Sequence, residues 1–145
     1  MPQVLIRRAR PEDFPAIRAL YAELSWGLEN VSDDPALWGQ VLHTPGTFVY
    51  VAGDAGAPLS MATLHLHPNL GRKGAGYAFV ENVATLPHRR NEGLGRAVVE
   101  ACVEEARAGG AYKVQLLTMR DGGARGFYEA LGFAADTRWG LALRL

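Results

Sequence analysis

A chain of 145 residues is long enough to bury one hydrophobic core and short for two, so a single domain over residues 1–145 is expected. Fifteen Lys and Arg balance fifteen Asp and Glu, and zero net charge gives no general attraction to nucleic acid. One cysteine excludes an internal disulfide and a cysteine-rich metal cluster, and Met1–Arg8 lacks the apolar run of a secretory signal or membrane span, so a cytoplasmic protein without a membrane partner is expected.

Val4-Leu5-Ile6, with Arg7 and Arg8, reads as a first strand. Pro11-Glu12-Asp13 then opens a helix, because proline and acidic residues suit a first turn, and Phe14, Ile17, Leu20, Tyr21 and Leu24 recur at helical spacing. Asp33-Asp34-Pro35 starts a second, less regular helix through Leu42, stopped by Pro45-Gly46. Thr47–Ala52 and Leu59–His67 are strands joined by the turn-forming Gly53–Gly56 run, hence a hairpin. After a glycine-rich loop, Tyr77–Thr85 is a strand whose alternation puts Phe79, Glu81, Val83 and Thr85 on one face and Val80, Asn82 and Ala84 on the other. A helix from Gly93 to Ala108 turns Leu94, Ala97, Val98, Ala101 and Cys102 inward and ends at Gly109-Gly110. Lys113–Met119 is a strand, Ala124–Leu131 a short helix, and Phe133–Leu145 supplies the last one or two strands. The expected class is α/β, with a mixed, mostly antiparallel sheet of six to seven strands flanked by about four helices.

Between the Tyr77–Thr85 strand and the helix after it lies His88-Arg89-Arg90-Asn91-Glu92-Gly93-Leu94-Gly95-Arg96. The first N–H groups of a helix have no intrahelical partner and the dipole is positive there, so such a turn receives anions. Glycine lets a phosphate reach the backbone, and Arg89, Arg90 and Arg96 add positive charge. A dinucleotide fingerprint would need glycine where Val98 stands, and Gly71-Arg72-Lys73-Gly74 does not make a Walker loop. The expected ligand is a phosphate or pyrophosphate; the plain alternative is a surface turn with solvated arginines.

Arg90-x-x-Gly93-x-Gly95 after Glu81-Asn82-Val83-Ala84-Thr85, with Phe127-Tyr128-Glu129-Ala130-Leu131-Gly132-Phe133 downstream, resembles the GNAT family of N-acetyltransferases. Ile6-Arg7-x-Ala9-x-Pro11-Glu12-Asp13 is similar to that family's first strand and helix. The resemblance implies acetyl-CoA as co-substrate. Arg90 would open its phosphate loop, with Asn91, Glu92, Gly93, Leu94, Gly95 and Arg96 holding the pyrophosphate through backbone amides. Val83, Ala84 and Thr85 would pair with the pantetheine arm as with an added strand. Tyr128 matches the tyrosine that protonates the departing thiolate. Asp121, seven residues earlier, stands where the family often has an asparagine contacting the cofactor; a carboxylate accepts hydrogen bonds but cannot donate them.

Acetyl transfer to an amine requires a base, donors for the oxyanion and an acid for the thiolate. Glu81 is the candidate base, with an ion-pair role or a water chain as alternatives; the Val83 N–H is the candidate oxyanion donor. Tyr128 is the candidate acid, its alternative being packing between helix and sheet. His65 and His67 lack an evident third metal ligand, so no metal is expected. The acceptor is expected to be a small-molecule or peptide amine, contacted by Trp26–Thr44, the Pro68–Gly76 loop and the segment around Trp139. Glu23, Glu29, Asp33 and Asp34 would make a cation-friendly mouth for it, or a solvated face. A non-catalytic acyl-CoA-binding regulatory module of the same fold is the rival reading. Pairing into a homodimer through the last strands would cover an otherwise exposed sheet edge.

Overall fold

β-branched and aromatic residues build four antiparallel neighbours: β1 (Val4–Arg8), β2 (Thr47–Asp54), β3 (Ser60–His67) and β4 (Gly76–Thr85). β5 (Ala111–Gln115) joins β4 in parallel, and a parallel step needs a crossover, here the helix α3 (Leu94–Ala108). The helices α1 (Phe14–Leu24) and α2 (Pro35–His43) connect β1 to β2, and α4 (Arg125–Ala130) follows β5. The computed structural model describes residues 3–145, in two compact units divided after Gln115.

The mixed, mostly antiparallel class and four α-helices agree with the sequence; the strand number does not. The sheet has five strands among the described residues, not six to seven. Phe133–Leu145 forms no ladder, although Trp139, Leu141 and Leu143 alternate as strand residues should. Propensity alone does not make a strand; its backbone needs a hydrogen-bonded neighbour. The strand expected at Lys113–Met119 lies earlier, since the ladder to β4 runs from Gly76↔Ala111 and ends at Phe79↔Gln115.

Inside the first unit the sheet is covered on both faces. Ile17, Leu20 and Trp38 pack on Val49, Val51, Met61 and Ala84 from the α1–α2 side. Val98, Cys102 and Ala106 are fully buried on α3, which packs on β2, β3 and β4. The Tyr50 hydroxyl donates to Glu105 of α3 at 3.2 Å, so the odd residues Val49 and Val51 face α1–α2 while Tyr50 faces α3.

One ion pair fixes the entrance to α1. Arg7 on β1 grips Asp13 with two hydrogen bonds of 2.7 and 2.8 Å and donates to the Gly56 carbonyl at 2.7 Å, while the Arg10 N–H donates to the same carboxylate at 2.8 Å. The Arg7 hydrogen bonds, assisted by the Arg10 N–H, hold the Asp13 carboxyl below the usual carboxylate range against the opposing effect of burial. A depressed folded-state pKa stabilises the fold above the unfolded value, and the contribution is lost as pH falls through the folded one. Asp13→Ala is expected to cost about 2 kcal/mol at neutral pH in urea unfolding, because it orphans a guanidinium and an N–H. The gap to the parent should close in acid, below the ordinary carboxylate range; a gap constant with pH would contradict this.

Candidate active site

The middle of β4 departs from regular strand geometry. Met61 and Thr63 of β3 pair with Ala84 and Glu81, so Asn82 and Val83 together face the single residue Ala62, which is a bulge. Asn82 takes φ 55°, a left-handed conformation that asparagine tolerates better than its β-branched neighbours. The bulge overturns the simple alternation of faces. Val80 pairs with Leu64, itself opposite Phe48 on the Tyr50 side of β2, and so faces α3. Ala84 pairs with Met61 and belongs to the α1–α2 core. Simple alternation along the sequence puts Val80 and Ala84 on one face; the bulge puts them on opposite ones.

The same stretch is free along one side. β4 keeps its ladder to β3 as far as Thr85, but its pairing with β5 ends at Phe79. Val80–Thr85 therefore offers backbone N–H and C=O groups with no β5 neighbour, an opening into which an extended ligand could add as a strand. Val83 and Thr85 are half-buried and Ala84 is buried beside this opening. Glu81 is exposed there and makes no ion pair among the described residues, so the structural alternative for it finds no partner.

Tyr21 was missed as a site residue because its helical spacing marks it only as core. The Asn82 amide donates to its hydroxyl at 3.2 Å, and burial, with a smaller contribution from the Glu81 charge, raises the phenol above its ordinary pKa. The signal that could have found it is the asparagine itself, a poor strand former inside a run of strand formers.

The strand leads into the turn that the sequence reads as a phosphate receptor. Pro87–Arg89 forms a short 3-10 turn, Asn91 sits at φ 63° and Gly93 at φ 84°, and Gly93 caps α3 without any side-chain hydrogen bond. A Cβ built on Gly93 would meet no atom within 4 Å, so the approach to the first amides of α3 is open. Asn91, Glu92 and Arg96 are exposed, Gly95 is half-buried, and Leu94 anchors the helix start in the core.

The arginines are less available than their number suggests. Arg89 donates to Asp54 and to Glu92, each at 2.7 Å, so it pins the turn to the end of β2 and carries no free charge. Arg90 donates to the Thr85 carbonyl at 3.2 Å and lies 3.5 Å from Glu23 of α1, while Arg96 pairs with Glu100 at the surface. Of the groups at this turn, the backbone amides are thus the most available to an anion, with Arg90 beside them.

Between α1 and α2 lies a cleft of about 250 Å³, walled by Phe14, Ile17, Leu37, Trp38 and Val41, with Arg18, Tyr21 and Asp34 as polar members. It falls within the Trp26–Thr44 region expected to meet an acceptor. Arg18 donates to the carbonyls of Ser32 and Val31 at 2.9 and 3.3 Å. The acidic mouth is partly spent: Glu23 faces Arg90, and Asp34 caps α2 by accepting from the Ala36 N–H at 2.9 Å.

The second unit carries the remaining expected residues. Tyr128 packs edge-on against Phe127 and Phe133, at 4.9 and 5.9 Å between ring centres, and burial raises its phenol above the ordinary value. Asp121 is exposed in the 3-10 turn Arg120–Gly122. In the first unit, burial and the Glu105 charge push the Cys102 thiol up to about 12, so it remains a core thiol at neutral pH. His65 bonds Thr47 at 3.1 Å and stacks on His67; among the described residues no group of three or more His, Cys, Asp or Glu could hold a metal ion. No helix among them is long and apolar enough to cross a membrane.

The acetyltransferase (GNAT) family profile matches residues 8–133. The chain belongs to the GNAT family. Among solved GNAT-like folds, a structure from Agrobacterium tumefaciens str. C58 with an acetyltransferase assignment is 38% identical, at a TM-score of 0.90 over 97% of this chain and 99% of that one. A Trypanosoma brucei acetyltransferase is 26% identical, at a TM-score of 0.85 over 99% of this chain and all of that one. A glucosamine 6-phosphate N-acetyltransferase from Trypanosoma brucei brucei is 34% identical over 92 residues, which are 63% of this chain and 61% of that relative's length.

Proposed function

We propose that this GNAT chain is an N-acetyltransferase that moves acetyl from acetyl-CoA to a primary amine by direct attack in a ternary complex, and that residues 1–145 form one catalytic domain. The observation that carries the reading is the β4 edge from Val80 to Thr85, which has no β5 neighbour, leading into an α3 N-terminus that Gly93 leaves without a side-chain cap. These groups fit acetyl-CoA in kind: an extended amide-bearing arm suits an open strand edge, and a pyrophosphate suits unpaired helix amides.

In this reading Arg90, Asn91, Glu92, Gly93, Leu94, Gly95 and Arg96 form the phosphate turn, with the amides doing most of the holding. Val83, Ala84 and Thr85 present backbone to the arm, and the Val83 N–H serves as the donor to developing oxyanion charge. Bound acetyl-CoA supplies an activated acyl carbon and a thiolate leaving group. Glu81, exposed and free of an ion pair, takes the amine's proton directly or through water. Tyr128 protonates the thiolate, and the role of Asp121 is confined to accepting a hydrogen bond from the cofactor. The cleft between α1 and α2 admits the acceptor, with Tyr21 at its β4 end.

The reading is tested by incubating the protein with acetyl-CoA and a panel of amines, including polyamines, aminoglycosides, amino-terminal peptides and glucosamine 6-phosphate, while following release of free thiol. Amine-dependent release supports it. Binding of acetyl-CoA without release for any amine would instead favour the regulatory acyl-CoA-binding module. With an active amine in hand, Glu81→Gln is expected to lower kcat about 100-fold. An unchanged kcat would remove Glu81 from the mechanism and leave deprotonation to water.

A further inference from the structure

The cleft between α1 and α2 has a composition that selects among acceptors, and all of its walls belong to the first unit. At about 250 Å³ it lies at the small end of ligand pockets. Phe14, Ile17, Leu37, Trp38 and Val41 make its interior apolar, with Phe14 stacked on Trp38 at 6.5 Å between ring centres. Among the described residues that line it, Arg18 is the one cation. Its Nε and Nη2 donate to the carbonyls of Ser32 and Val31 at 2.9 and 3.3 Å, which fixes the guanidinium plane. Those bonds use only part of a guanidinium's donor set, so N–H groups remain for a ligand. Among the described residues no carboxylate pairs with it. Asp34, the carboxylate of the cleft, is engaged by the Ala36 N–H at 2.9 Å, where it caps α2.

A fixed guanidinium in an apolar cleft suits a ligand carboxylate and disfavours a second cation. Arg18 stands three residues before Tyr21, one turn along the same face of α1, and the Tyr21 hydroxyl meets Asn82 of the β4 bulge at 3.2 Å. The anion end of the cleft is thus one helical turn from the end where Glu81 and Val83 act in the proposed reaction. A polyamine would set positive charge against Arg18, and a phosphosugar would leave the apolar wall unfilled.

We propose that the acceptor is a small amino acid with an apolar side chain: Arg18 holds its carboxylate, Phe14, Ile17, Leu37 and Trp38 enclose its side chain, and its amine meets the β4 bulge beside Tyr21. The inference rests on the proposed acetyl transfer for the fate of that amine. Its nitrogen bonds to the acetyl carbon as the carbon–sulfur bond breaks, and its proton ends on the departing sulfur.

Binding is measured by calorimetric titration with coenzyme A in place of acetyl-CoA, so that no chemistry occurs. The ligands are L-leucine, L-phenylalanine, their decarboxylated counterparts isoamylamine and phenethylamine, and L-serine. Each apolar amino acid should bind at least about 10-fold tighter than its counterpart, which lacks the charge-assisted bonds, and at least about 10-fold tighter than L-serine, which lacks the apolar body. Arg18→Met should erase the first preference and keep the second, whereas a collapsed cleft would lose both. Arg18→Lys, which keeps the charge, should retain part of the first. If Arg18 only latched the Val31–Ser32 backbone to α1, its replacement would affect amino acids and counterparts alike. Equal binding of amino acids and counterparts by the native chain, or a preference that survives in Arg18→Met, would overturn the inference. Turnover separates it from the reading on which it rests. Selective binding without thiol release from acetyl-CoA would retain the cleft assignment and reject acetyl transfer; release with a polyamine and with neither amino acid would do the reverse.

Discussion

Tyr128→Phe is expected to lower kcat by about 100-fold while leaving acetyl-CoA affinity within about twofold of the parent. The tyrosine packs between Phe127 and Phe133 in its own unit, and burial raises its pKa, so the phenol stays protonated throughout the neutral range. In the proposed reaction a donor kept loaded in this way would serve a thiolate whose conjugate acid has a pKa of ~8.5. Phenylalanine preserves the ring contacts and removes only the proton. Activity that depends on a protonated group falls as pH rises through its pKa, so the parent should lose turnover only in strongly alkaline solution. The variant should lack that limb. Equal turnover in parent and variant would return Tyr128 to the packing role that its aromatic neighbours also permit.

Gly93→Asp is expected to weaken acetyl-CoA binding at least 100-fold with little loss of fold stability. The residue occupies the N-cap of α3 at φ 84°, with open space where a side chain would go. A left-handed aspartate costs on the order of 1 kcal/mol, and its charge at a helix N-terminus returns roughly 0.3–1 kcal/mol. The fold should therefore tolerate it. The bound anion should not, because a carboxylate would compete for the same amides and repel a pyrophosphate. Comparing melting temperature with cofactor affinity separates the two effects. A variant that binds as tightly as the parent would show that the α3 start is not the phosphate site.

Most of this architecture can be read from local pattern. The hairpin of β2 and β3, the helices α1 and α3, and the glycine turn before α3 follow from periodicity and from residues whose conformational limits are known. What could not be read depends on contacts distant in sequence. The bulge at Asn82 re-phases β4, and only the pairing with β3 reveals that Ala84 faces α1. The opening along Val80–Thr85 exists because β5 stops at Gln115, a matter of two strands' relative length. It also explains Glu81, a carboxylate in an apolar strand that needs no buried partner because it is exposed beside that opening. The arginine cluster looked like a cationic pocket, but Arg89 is neutralised by Asp54, 35 residues away. The last strands failed for a related reason: Trp139–Leu145 has the right alternation and no ladder within the chain.

The central claim is that the α3 start and the free edge of β4 together hold acetyl-CoA, and calorimetric titration of the native chain with acetyl-CoA examines it most directly. The account predicts saturable binding of one cofactor per chain, with heat abolished or strongly reduced in Gly93→Asp at matched fold stability. No heat and no saturation with cofactor up to about 1 mM, far above the weakest useful affinity for such a site, would contradict it.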